Sequence, residues 1–194
     1  MAKPTPTFYV FHGADDLSSS EALADLKQRV GAPEIADLNT TVFDGGGLSI
    51  GELKHACDTV PFMAERRLVI VRGLLSRLSR RGKTAPPASR SDYLAALADY
   101  LPLVPDTTRV VFVESQALPA RNPILKLAGR HERGFVRRFD PPEAKGLARW
   151  VEERVAKCGG KIEAKAARHL ASVVGSDLRV LDQEVDHLLL MGGV

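Results

Sequence analysis

Short runs of consecutive aliphatic and aromatic residues alternate, over the first 140 positions, with longer stretches in which apolar residues recur every three or four places. The short runs are Phe8-Tyr9-Val10-Phe11, Thr41-Val42-Phe43, Leu68-Val69-Ile70-Val71, Val110-Val111-Phe112-Val113 and Phe135 to Phe139. Their β-branched and aromatic content predicts five strands. The unbroken apolar character of three or more of them predicts burial on both faces, as in a parallel sheet.

The stretches between them read as helices. Ser18 and Glu21 have the spacing of a capping box, which opens a helix with Leu23, Leu26 and Val30 as its buried stripe and Gly31 as its stop. Ser49 and Glu52 repeat the device ahead of Ile50, Leu53, Cys57 and Val60, with Pro61 near the helix end. Tyr93 to Leu101 and Ile124 to Ala128 complete the set. Asp140-Pro141-Pro142 then breaks the alternation, and only helical pattern follows: Glu143 to Cys158, Glu163 to Val174 and Asp177 to Leu190. The expected architecture is an α/β domain over residues 1–140, built on a mostly parallel sheet, and a small three-helix domain over 141–194.

Composition changes this picture in one place. The 44% hydrophobic and 26% charged content is that of a soluble globular chain, and no apolar run is long enough to span a bilayer. Met1 to Thr7 has no hydrophobic leader pattern. Cys57 and Cys158 lie far apart without a metal-ligand spacing, which predicts free thiols and a cytoplasmic setting. A formal net charge of +3 and a pI near 9.0 point to nucleic acid. Six of the positive charges, however, fall between Arg72 and Arg90 with no acid among them, so the rest of the chain is mildly acidic, at −3 instead of +3. Leu74 to Ser91, rich in Ser, Arg, Pro and Gly, is expected to be a long mobile loop. Arg77, Arg80, Arg81 and Lys83 within it could touch a DNA backbone, although no interleaved aromatic is there to stack on bases. A solvated insertion is the competing reading.

A parallel sheet followed by a compact helical lid resembles the AAA+ (P-loop NTPase-like) layout. In such ATPases the first strand runs into a glycine-rich loop that cradles phosphates, with a lysine and a Ser or Thr for magnesium. Here that turn reads His12-Gly13-Ala14-Asp15-Asp16-Leu17-Ser18-Ser19-Ser20, with one glycine, no lysine and two aspartates. The third strand ends in Arg72-Gly73, where the magnesium-holding acids are expected. The five histidines are scattered, and His55 beside Cys57 completes no metal set. The expectation is an AAA+-like domain without a functional P-loop, hence no catalytic residues, no cofactor and no metal.

What remains is Pro61-Phe62-Met63 at the corner between a helix and the third strand. Leu68 to Val71 already supply that strand's core residues. A Pro-Phe-Met cluster at such a corner is either a cap on the domain's own core or a wedge meant for another protein.

Three segments together resemble the family of δ subunits of bacterial DNA polymerase III clamp loaders: Phe8 to Asp16, Pro61 to Val71, and Gly175-Ser176-Asp177-Leu178-Arg179-Val180-Leu181-Asp182-Gln183-Glu184-Val185-Asp186-His187-Leu188. The Pro-Phe-Met to Arg-Arg-Leu stretch is the specific one. The resemblance implies a non-catalytic subunit of a DNA-directed DNA polymerase (nucleotidyltransferase) complex, working in the cytoplasm at a nucleoid-associated replisome during DNA replication. It implies that Pro61, Phe62 and Met63 bind the β sliding clamp through an apolar pair at a helix end. The ring would then open for loading on primed DNA, without ATP being bound or hydrolysed by this chain. Where some relatives carry leucine beside the phenylalanine, this sequence has Pro61. The family's third, helical collar domain, which meets the γ/τ and δ′ subunits, has no counterpart in these residues. The alternative is an AAA+-like protein that binds DNA or hydrolyses nucleotide.

Overall fold

The computed structural model describes residues 5–79 and 87–192. They form two compact units, one ending at Phe139 and the other starting at Asp140. In the first unit, β1 (Phe8–Gly13), β2 (Thr40–Asp44), β3 (Arg67–Arg72), β4 (Thr108–Glu114) and β5 (Gly134–Phe139) make one sheet in the order β2-β3-β4-β1-β5. Every pairing is parallel. The three inner strands are the ones with unbroken apolar runs, and β2 and β5 at the edges are only partly buried. Burial thus follows the apolar pattern strand by strand.

Alternation along the inner strands distributes side chains between two cores. Phe8, Val10, Val69, Val71, Val110 and Phe112 face one layer, made by α3 (Ile50–Asp58), α4 (Leu74–Ser79), α5 (Pro87–Tyr100) and α6 (Pro123–Arg130). Tyr9, Phe11, Leu68, Ile70 and Val111 face the other, with Leu23 of α1 (Asp16–Gln28) and Ala36 of α2 (Pro33–Leu38). The result is a three-layer α/β/α unit of the AAA+-like class. Separately, α7 (Leu147–Lys157), α8 (Ala164–Val174) and α9 (Leu178–Gly192) pack together in the second unit. Leu147, Val151, Val155, Ala167, Ala171, Leu178, Leu181 and Val185 are buried there. An ion pair between Arg154 and Asp182, both largely shielded from solvent, ties α7 to α9.

Four local expectations are revised. Leu74 to Ser91 is not one loop, because Leu74, Leu75 and Leu78 are buried on α4 and α5 already begins at Pro87. The apolar spacing of the three leucines outweighs the polar composition around them. The first helix is not capped by Ser18 with Glu21. It starts earlier, and the Asp15 carboxylate accepts a hydrogen bond from the Ser18 N–H at 2.9 Å. The short helix α2, with Pro33 in its first turn, was not anticipated. Val60 does not extend the buried face of α3, which stops at Asp58 after a true capping box between Ser49 and Glu52.

The two thiols provide a check on this packing. Cys57 is fully buried, and burial pushes its thiol up to about 12, whereas Cys158 is exposed. Because the thiolate is the reactive species, a disulfide reagent at neutral pH should titrate Cys158 quickly and Cys57 only as the chain unfolds. Two equally fast thiols would contradict the placement of α3 against the sheet.

Candidate functional site

The loop from α3 to β3, residues 59–66, enters β3 at its N-terminal end, opposite the rim where β1 turns into α1. Three anchors hold it. At its start, the Thr59 N–H and hydroxyl both donate to the His55 carbonyl, and the Arg67 guanidinium donates to the Thr59 carbonyl at 3.1 Å. Arg67 also reaches the Thr41 hydroxyl on β2, so a buried cation ties the loop to the sheet edge. In the middle, the Asn39 side chain takes both polar groups of Phe62. Its Nδ2 donates to the Phe62 carbonyl and its Oδ1 accepts from the Phe62 N–H, each at 2.7 Å. At the end, Ala64 packs on the core beneath α1 and α2.

Between these anchors the side chains point to solvent. Val60 is 80% exposed, Phe62 61% and Met63 77%, while Pro61 is half-buried. Met63 has a φ of 51°, in the left-handed region that a residue with a Cβ rarely adopts. Such a backbone costs on the order of 1 kcal/mol or more and persists where its surroundings over-determine it. The apolar cluster is therefore displayed by a held backbone. It does not cap the domain's own core, since Val60, Phe62 and Met63 are exposed and none of them is among the residues packed into or against either core layer. Phe62 and Met63 lie in the connecting turn past the end of α3 at Asp58, at the helix-to-strand corner where the sequence puts them. Val60, Asn39 and Arg67 were missed by the sequence reading. Val60 was assigned to the helix face, and the only signal for it was its place just before proline.

The opposite rim, where an AAA+ ATPase holds its nucleotide, is occupied by the chain's own groups. Gly13 runs so close to β5 that a Cβ there would lie 1.9 Å from the Phe139 carbonyl oxygen. The Asp15 N–H donates to that same carbonyl at 3.1 Å. The Asp15 side chain is buried and caps the N-terminus of α1, the place a phosphate would use. At the end of β4, buried Glu114 accepts from the Leu75 and Ser76 N–H groups at 2.7 and 2.9 Å and so caps α4. Burial raises its carboxyl above the usual range, against the lowering effect of those bonds. His12 Nδ1 accepts from the Leu118 N–H at 3.2 Å. Among the described residues no three His, Cys, Asp or Glu side chains converge as metal ligands. No helix among them is long and apolar enough to cross a membrane. Of the four basic residues weighed for DNA contact, Arg77 is exposed on α4, and Arg80, Arg81 and Lys83 lie outside the described residues.

Comparison with known proteins bears on this pairing of a displayed apolar loop and a filled nucleotide rim. DNA polymerase III subunit delta of Bacillus subtilis (strain 168) is 25% identical over 181 residues, covering 93% of this chain and 50% of that protein. The chain thus spans about half the length of the curated relative it matches. The solved Bacillus subtilis DNA clamp loader delta protein superposes with a TM-score of 0.76 at 24% identity, over 97% of this chain and 54% of that one. A chain of the E. coli MS115-1 HORMA:CdnC:Trip13 complex has a TM-score of 0.51 at 15% identity, over 90% of this chain and 60% of that one, a likeness of fold alone. The family model for the DNA polymerase III delta subunit matches residues 9–134, which include β1 but for Phe8, β2, β3, β4 and the whole 59–66 loop. The chain belongs to the DNA polymerase III delta subunit family.

Proposed function

We propose that this chain is the clamp-engaging part of a clamp-loader delta subunit, and that Pro61, Phe62 and Met63, with Val60 beside them, dock into an apolar pocket of the β sliding clamp. The observation that carries the reading is an exposed Phe-Met pair on a loop whose backbone is fixed by Asn39 and Arg67. Fully burying a side chain of this kind contributes roughly 1.5–3 kcal/mol. Two such anchors suit a contact that must later be released. Ring opening then follows from differential binding. If the loop fits the clamp better when one subunit interface is parted, occupancy shifts the clamp toward the open form without input of chemical energy by this chain. Primed DNA is met through the assembly, and the γ/τ and δ′ subunits are partners of the longer protein.

The same reading assigns no nucleotide chemistry to the chain. A carboxylate seated on the α1 N-terminus and the close approach of Gly13 to Phe139 support this, because anionic phosphate would have to displace both. It is a non-catalytic subunit of a replicative polymerase complex acting in the cytoplasm.

The test is co-elution with the sliding clamp of the same organism, paired with titration of a fluorescent ATP analogue. The unmodified chain should shift to the clamp's elution volume, and a Phe62→Ala/Met63→Ala variant should not. The analogue should show no saturable binding. A folded chain that never co-elutes, or one that saturates with nucleotide, would favour the AAA+-like nucleotide-hydrolysing alternative.

A further inference from the structure

Both polar groups of Phe62 are satisfied by one side chain 23 residues earlier in the sequence. We infer that Asn39 is the positioning residue of the docking loop, holding Phe62 and Met63 in the arrangement the clamp receives; this rests on the docking role proposed for residues 60–63. Asn39 is itself firmly placed. It is 2% exposed at the junction of α2 and β2, its N–H donates to the Ile35 carbonyl at 3.2 Å, and its carbonyl accepts from the Leu68 N–H at 2.8 Å. Its Nδ2 also reaches the Ile35 carbonyl at 2.8 Å. The side-chain amide is thus a post fixed to α2 and β3.

The chemistry of the contact requires an amide. A carboxamide offers a donor and an acceptor side by side, matched to the C=O and N–H of one residue. A carboxylate of the same shape keeps the acceptor but sets a second acceptor against the Phe62 carbonyl. Alanine removes both bonds. The backbone just beyond this contact is in the left-handed conformation at Met63, which nothing in the methionine side chain favours. Releasing Phe62 lets that strain relax into other loop conformations. The apolar side chains must then be re-ordered on binding, which weakens association without removing any contacting atom.

The experiment measures clamp affinity and melting of the full chain for Asn39→Ala, Asn39→Asp, Phe62→Ala and the Asn39→Ala/Phe62→Ala double variant. At a temperature where melting shows each variant folded, both Asn39 variants should bind the clamp about 10-fold or more weaker, because the loop must be ordered on binding. The double variant should lose clearly less than the two single losses added together, because much of the Asn39 loss acts through the Phe62 ring. Folded Asn39 variants that bind like the parent, while Phe62→Ala does not, would overturn the positioning role and leave the docking role standing. So would losses that simply add. A Phe62→Ala variant that binds like the parent removes the docking role itself, and the inference with it. Should Asn39→Ala fail to fold, Asn39→Asp and amide exchange at Phe62 in the unmodified chain carry the test. That amide should be protected, and exchange as fast as in an open loop would overturn the contact.

Discussion

Truncating Phe62 to alanine is expected to weaken clamp binding by about 2 kcal/mol or more, roughly 30-fold, while leaving the denaturation midpoint of the chain almost unchanged. The two halves of this expectation have separate causes. Phe62 is more exposed than buried, and what holds its segment in place is its backbone, gripped by Asn39, which alanine retains. A position with so few internal contacts seldom costs more than about 0.5 kcal/mol of stability. Against a partner the same ring would be an aromatic anchor, the residue type that dominates interface energetics. The contrast with Phe112 is useful. That ring is fully buried in the sheet core, and truncating such a residue costs about 3–5 kcal/mol. If Phe62→Ala lost stability on the Phe112 scale yet bound the clamp normally, the loop would be a cap on the domain and not a docking element.

Gly13→Ala should be among the most destabilising single changes in the α/β unit, at about 3 kcal/mol or more. Gly13 ends β1 with a φ of 135°, which an L side chain rarely adopts, and a Cβ there would meet the Phe139 carbonyl at 1.9 Å. The obstruction is backbone, so no flexible side chain can swing aside. The pairing of β1 with β5 would have to shift, and Asp15, whose N–H bonds to the same carbonyl, would lose its seat above α1. A melting temperature lowered by roughly 10 °C is the expected result. One within about 2 °C of the parent would show that the two strand ends are not so closely apposed. The residue that looks, in sequence, like the remnant of a phosphate loop is on this account a close-packing glycine.

The sheet was legible because its inner strands are unbroken runs of Val, Ile, Leu and Phe, a pattern with few other uses in so short a length. The absence of a phosphate-loop lysine was equally plain. What fills that rim was not, because Asp15 as a helix cap and Glu114 as a cap for α4 depend on contacts between distant elements. α4 was hidden by composition: Leu74, Leu75 and Leu78 have helical spacing but sit among Ser and Arg. Phe62 and Met63 stood out because the strand after them needed no further apolar residues. Asn39 could not stand out. Before a strand it reads as an ordinary turn residue, and only tertiary structure brings its amide to Phe62.

Backbone hydrogen exchange of this chain with and without the sliding clamp, resolved to short peptides, tests whether residues 59–66 are the docking loop. Clamp should slow exchange most strongly in the peptide covering residues 59–66, with little change along α7, α8 and α9. Unaltered exchange in that peptide, with slowing elsewhere in a complex that does form, would contradict it.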